Sequence, residues 1–261
     1  MTSVRNPAVA GLFYPDDPRE LRGQVADFLA AAPAGGAVPK AIIAPHAGYV
    51  YSGPIAASAY VRLQPARGRI TRVVLLGPAH RVGFHGLALS GADYFQTPLG
   101  RIKIDKEAAE KISRLPQVHL MDLAHAQEHS LEVHLPFLQE VLGEFSLVPL
   151  VVGDAESGEV AEVIEALWGG PETLIVVSSD LSHYHDYKTA QRLDRATSQA
   201  IEQLQPESIE YDSACGRNPV NGLLRAARQH GLKASTIDLR NSGDTAGSHD
   251  RVVGYGAYVF E

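Results

Sequence analysis

Three short apolar runs in this 261-residue chain stop abruptly at residues able to do chemistry. Ala41-Ile-Ile-Ala-Pro leads to His46 and on to Tyr49. Val73-Val-Leu-Leu-Gly-Pro-Ala leads to His80. Thr173-Leu-Ile-Val-Val-Ser-Ser leads to Asp180, with His183 and His185 just beyond. In open α/β sheets, ligands bind outside the carboxyl ends of the strands. If these three strands are parallel neighbours, His46, His80, Asp180 and His183 converge on one pocket. A lone loop histidine is as readily a group bonded to backbone. Three at matching strand ends point instead to a metal, because imidazole binds one well when its neutral nitrogen is held in a fixed direction.

Two histidines leave a site incomplete. The polar loop Asn241-Ser-Gly-Asp244-Thr-Ala-Gly-Ser-His249-Asp250 reads as a turn before the last strand, or as the source of a carboxylate from Asp244. Two histidines and one carboxylate leave open positions on the ion, the set used by non-haem Fe(II) oxygenases. Glu128-His129-Ser130-Leu-Glu132-Val-His134-Leu-Pro136 reads as a helix start capped by Ser130. It is either a polar surface or a wall of the same pocket, with His129 and Glu132 on one face. Its spacing is not that of the His-Glu-x-x-His zinc signature. Cys215 has no basic cluster beside it and reads as structural. There is no phosphate-binding loop, dinucleotide glycine fingerprint or Gly-x-Ser-x-Gly elbow.

The elements that must position these residues alternate. Strands are expected at Ala41–Ala44, Val73–Leu76, Leu87–Leu89, Gly100–Ile104, Phe145–Val152, Thr173–Val177 and Val252–Phe260. Helices are expected over Pro18–Ala30, Pro54–Leu63, Lys106–Leu115, Ser130–Leu142, Ala155–Trp168, Thr189–Leu204 and Pro219–His230. This order predicts a single α/β domain over residues 1–261, with helices covering a mixed, largely parallel sheet. Hydrophobic residues make up 45% and charged residues 20%, enough to bury a sizeable core. The net charge of −7 argues against a nucleic-acid or anionic-membrane surface. One cysteine excludes an internal disulfide, and there is no signal-type or membrane-length apolar run, so a cytoplasmic location is expected.

Several stretches together resemble the Memo family: Arg5-Asn-Pro-Ala-Val-Ala-Gly-Leu-Phe-Tyr-Pro15, Ala44-Pro-His-Ala-Gly-Tyr-Val-Tyr-Ser-Gly53, Leu76-Gly-Pro-Ala-His80, Glu128 to Pro136, Ser178-Ser-Asp-Leu-Ser-His183 and Arg251-Val-Val-Gly-Tyr255. That family is similar in fold to class III extradiol ring-cleaving dioxygenases, three-layer α/β/α proteins with Fe(II). The resemblance implies metal at His46 and His80, with Asp180 and His183 beside it. Vertebrate members carry a cysteine as third ligand near the C-terminus, where this chain is read as placing Asp244, or Thr245 if the alignment shifts by one. The expected site is therefore His46, His80 and Asp244 on the metal, and His183, Asp180 and His129 in catalysis. Tyr49, Glu132, His134 and His185 are expected to line or support it. Fe(II) is the expected cofactor, with copper or zinc as alternatives. The expected activity is a dioxygenase or related oxidoreductase on a small, catecholic substrate. A binding protein without turnover and a metal-dependent hydrolase are the other readings. A radical-SAM protein is the pathway partner the resemblance suggests, and a homo-oligomer is left open.

Overall fold

Neighbouring side chains of a strand face opposite sides of a sheet, and in this chain both sides are apolar. Ile42, Val73, Leu75, Leu147 and Leu174 pack into one core; Ile43, Val74, Leu76, Val148 and Ile175 pack into another. A sheet buried on both faces needs helices on both. The computed structural model, which describes residues 2–261, has that three-layer arrangement.

In chain order the elements are β1 (Val4–Arg5), α1 (Pro18–Ala31), β2 (Ala41–Ala44), α2 (Tyr49–Tyr60), β3 (Arg72–Pro78), β4 (Leu87–Leu89), β5 (Tyr94–Thr97), β6 (Gly100–Ile104) and α3 (Lys106–Ile112). They continue with β7 (Val118–Leu120), α4 (Asp122–Ala126), α5 (Leu135–Leu142), β8 (Ser146–Val152), α6 (Ser157–Ala166), β9 (Thr173–Ser178), β10 (His183–His185), α7 (Tyr187–Glu202), α8 (Arg217–Gln229), β11 (Ala234–Asn241) and β12 (Val252–Phe260). One sheet runs β1-β5-β6-β8-β3-β9-β2-β12-β10, with β11 also on β12 and β4 also on β8. Its middle, β6-β8-β3-β9-β2, is parallel. β12 closes antiparallel against β2. The three strands singled out by their endings are thus neighbours, with β9 between β3 and β2.

Two helix starts and one strand differ from expectation for physical reasons. The second helix begins at Tyr49, so Pro54 lies inside it and forgoes one bond, to the carbonyl of exposed Val50. The helix expected from Ser130 starts at Leu135 after a 3-10 turn over Glu132–His134. Ser130 does not cap it; its hydroxyl donates to Pro78 O at 2.8 Å. β11 was not expected because its residues are mostly half-buried and polar, and only its pairing with β12 makes it a strand.

Candidate metal centre

The turn after β2 delivers His46, and one hydrogen bond fixes its backbone and another its ring. Its backbone N–H donates to Asp180 Oδ1 at 2.8 Å. Ser178 Oγ donates to Ser130 O at 2.6 Å, so it can only accept from His46 Nδ1, 2.5 Å away. The proton is therefore on Nδ1, and Nε2 presents a lone pair. Burial, then the neighbouring His80 and His129, hold His46 well below the ordinary histidine value, so it is neutral.

His80, beyond β3, is oriented by a carboxylate. Glu128 Oε2 accepts its backbone N–H at 2.6 Å, and Glu128 Oε1 accepts from Nδ1 at 2.9 Å. A carboxylate on one imidazole nitrogen is the usual support for a metal on the other. Burial opposes the charge on Glu128, but the bonds from His80 and from the Ser130 N–H outweigh it and bring the group down to about 2.

The third donor beside these rings is Cys215. Its Sγ lies 3.3 Å from His46 Nε2, and one ligand atom each from His46, His80 and Cys215 all fall within 4.8 Å of one another. Donors bound to one ion at roughly 2.0–2.3 Å sit about 3–4 Å apart, so this set fits a single transition metal. The Asp180 N–H donates to Cys215 Sγ at 3.3 Å, a contact that favours thiolate. Without a cation, burial and the Asp180 carboxyl push the Cys215 thiol up. Burial also raises Asp180 itself, to about 7, despite the His46 N–H it accepts. The turn carrying Cys215 is pressed onto the end of β9: a Cβ on Gly216 would meet Ser178 O at 2.4 Å and Ser179 Cβ at 2.6 Å.

Asp244 does not join the two histidines. Its Oδ2 accepts the Asn241 N–H at 2.9 Å, closing a capped 3-10 turn, and its Oδ1 takes the Tyr187 hydroxyl. Both oxygens are committed there, which corrects its expected place as the third donor. Cys215, read as structural from the sequence, stands in that position. A signal for it was available: a cysteine just before a glycine and a helix N-terminus, where thiolate is favoured.

His129 stacks on His80 with ring centroids 4.6 Å apart, and the Phe13 ring packs against it at 4.9 Å. Burial and His80 lower it to about 4, so it is neutral, and its buried Nδ1 has no hydrogen-bond partner. A second donor group of His80, Glu128 and His129 also falls within 4.8 Å. There, however, Glu128 Oε1 already accepts from His80 Nδ1 and from the N–H groups of His129 and Ser130. His183, half-buried on β10, is near enough to feel the charge of His80, but Asp180 does not orient it: the Asp180 oxygens serve the backbone N–H groups of His46 and Ala47.

Three expected lining residues lie behind the centre. The Tyr49 hydroxyl donates to Val133 O at 2.6 Å within the core. His134 Nδ1 is 2.8 Å from the Tyr60 hydroxyl, and burial lowers it to about 3. Glu132 pairs with Arg5 and accepts from the N–H groups of Ala8 and Val9 and the Tyr14 hydroxyl. It fastens the segment that carries Phe13. His185 is within reach of the Asp194 charge.

A family profile described as "Memo-like protein" matches residues 5–259. The chain belongs to the Memo family. MEMO1 family proteins of Aquifex aeolicus and Methanopyrus kandleri are 38% and 37% identical to it, each aligned over 98% of this chain and over 99% and 98% of their own. That of Methanocaldococcus jannaschii is 34% identical over the full length of both. An uncharacterized Escherichia coli K12 protein of known crystal structure shares the fold at 12% identity. Its TM-score is 0.50, and the match covers 82% of this chain and 98% of that one. No helix of this Memo protein is long and apolar enough to cross a membrane among the described residues.

Proposed function

We propose that His46, His80 and Cys215 hold one transition-metal ion and that the protein is an oxidoreductase of the ring-cleaving dioxygenase type, acting on a small catecholic molecule. The single observation behind this reading is the convergence of three donor atoms within 4.8 Å, two of them on rings whose other nitrogen is tied down. Fe(II) is the proposed ion, with copper or zinc as alternatives. The ion's part would be to bind the substrate oxygens and activate O2 in its open positions.

The chain's own residues account for the rest. Ser178 and Glu128 aim the two imidazoles. The Asp180 N–H offsets negative charge on sulfur. His129 and His183 are held neutral, so either can accept a proton from a substrate hydroxyl. Phe13 keeps water from one face of His129.

A second reading is favoured by Cys215 itself. A thiolate makes the donor set softer than two histidines and a carboxylate, which suits zinc or copper. Zinc in this pocket would serve hydrolysis or ligand binding without redox turnover. Protein purified without oxygen, analysed for metal and then assayed for oxygen uptake with a panel of catechols, separates the two. About one iron per chain with catechol-dependent uptake is the expected result. Zinc alone with no uptake would replace the dioxygenase reading by the second one, and absence of any metal would overturn both.

A further inference from the structure

The cleft bordering His80 and Cys215 has a volume of about 640 Å³, within the roughly 300–1,000 Å³ that small ligands occupy. Its walls differ. Pro78, Val82 and Phe84 line it with apolar surface, and the exposed Tyr211 borders it too. The other side is the first turn of α8, where Arg217 and Asn218 stand two and three residues from the cysteine.

Arg217 Nε donates to Ile209 O at 2.8 Å, which anchors the guanidinium, while its two terminal nitrogens have no partner among the described residues. At the start of this thirteen-residue helix Ser179 Oγ accepts the Gly216 N–H, Ala214 O accepts the Arg217 N–H and Pro219 has none, so the Asn218 N–H alone is left without a partner among the described residues. An adjoining cavity of about 320 Å³ shares Arg217, Asn218 and Asp154 and adds Asn221. Asn221 is only 5% exposed, yet its Oδ1 has no hydrogen-bond partner. That oxygen is itself closed off from the cavity and takes no part in ligand binding.

We propose that this cleft binds a small substrate bearing one carboxylate, seated on Arg217 at the start of α8, with the rest of the molecule extending along the apolar wall to His80 and Cys215. Which end of the substrate reacts rests on the metal-centre reading; the preference for an anion does not. A guanidinium fork matches a carboxylate geometrically. A dianion such as a phosphate monoester is disfavoured, because Asp154 borders the cleft and Glu156 the adjoining cavity, and one arginine cannot offset a second negative charge.

The test is binding of 3,4-dihydroxybenzoate, catechol and phenyl phosphate to the full chain, as purified and after chelator treatment. The carboxylate probe is expected to bind roughly 10- to 100-fold tighter than catechol, the worth of a charge-assisted bond. That advantage should vanish in Arg217→Met and shrink in Arg217→Lys. Should loss of the Ile209 bond unfold Arg217→Met, Asp154→Asn leaves that bond intact and should strengthen the carboxylate probe roughly two- to threefold, as removal of a nearby like charge does. Equal affinities in the unmodified protein, an advantage that survives Arg217→Met, or phenyl phosphate binding as tightly as the carboxylate would each overturn the proposal. Metal content of His46→Ala and His80→Ala is read separately. If they keep their metal, the centre is wrong while the anion preference stands.

Discussion

Each donor at the centre depends on a partner that fixes its direction, and that dependence orders the effects of substitution. Cys215→Ala should lower metal affinity by roughly 10- to 100-fold or more, because it removes one of the three proposed ligands. Asp244→Ala should leave metal content unchanged, because its oxygens are spent on Asn241 and Tyr187. Metal analysis of both variants checks the pair of outcomes; retention by Cys215→Ala with loss by Asp244→Ala would restore the carboxylate centre. That His46 and His80 come together was legible in the sequence because each ends an apolar run with a Pro or Gly before it. Cys215 carried only the local signal of the glycine and helix start that follow it, because its meeting with His46 crosses 169 residues and is set by contact rather than spacing. Glu132 and Tyr49 misled for the opposite reason: polar residues next to a site motif face the core when a buried arginine or carbonyl awaits them there.

At the scale of elements, the centre is held by two devices that carry no ligand. One is the closeness of the Cys215 turn to β9. Gly216→Ala would drive a methyl group against Ser178 O and the Ser179 side chain, so the turn must lift. The expected outcome is at least a tenfold loss of metal affinity, measured by competition with a chelator, with only modest loss of melting temperature. The other device is the buried Glu132 carboxylate, which gathers Arg5, the N–H groups of Ala8 and Val9, and Tyr14. Glu132→Gln leaves Arg5 as an unpaired buried charge, costing roughly 3–5 kcal/mol. Limited proteolysis should then cut within residues 4–14, and hydrogen exchange should rise there first; unchanged protection would show that the segment is held otherwise. Strand–helix alternation made the central layers readable in advance. The half-buried pair β10 and β11 was not readable, because such strands owe their form to β12 and not to their own pattern.

The whole molecule carries several histidines that the fold keeps neutral, and this shapes its response to acid. An unfolded histidine gains its proton near pH 6.5, whereas His134 does so at about 3 and His125 at about 4, both because of burial. Between those values the unfolded chain binds more protons, so stability falls as pH drops. Glu128, lowered to about 2, adds stability that is present above about 4.5 and lost as pH falls further. Asp180 at about 7 and Asp194 at about 6 are raised by burial and act in reverse, withdrawing stability as pH rises from about 4 toward 7. The histidines outnumber them, so the urea midpoint is expected to fall between pH 6.5 and 4. His134→Gln should flatten that fall, the group being worth on the order of 4 kcal/mol; an unchanged slope would show that His134 is charged in the fold. The sheet order has one more consequence, in time. β3 is flanked by β8 and β9, so when Pro78 leaves the ribosome neither neighbour exists. The middle of the sheet cannot close until Ser178 has followed, which at roughly 5–20 residues per second takes several seconds or more. Until Val152 has followed, Val73-Val-Leu-Leu76 is an apolar strand with two bare edges, and until Ser178 it keeps one, which makes it the stretch of the nascent chain most open to misassociation and the one a chaperone would cover first.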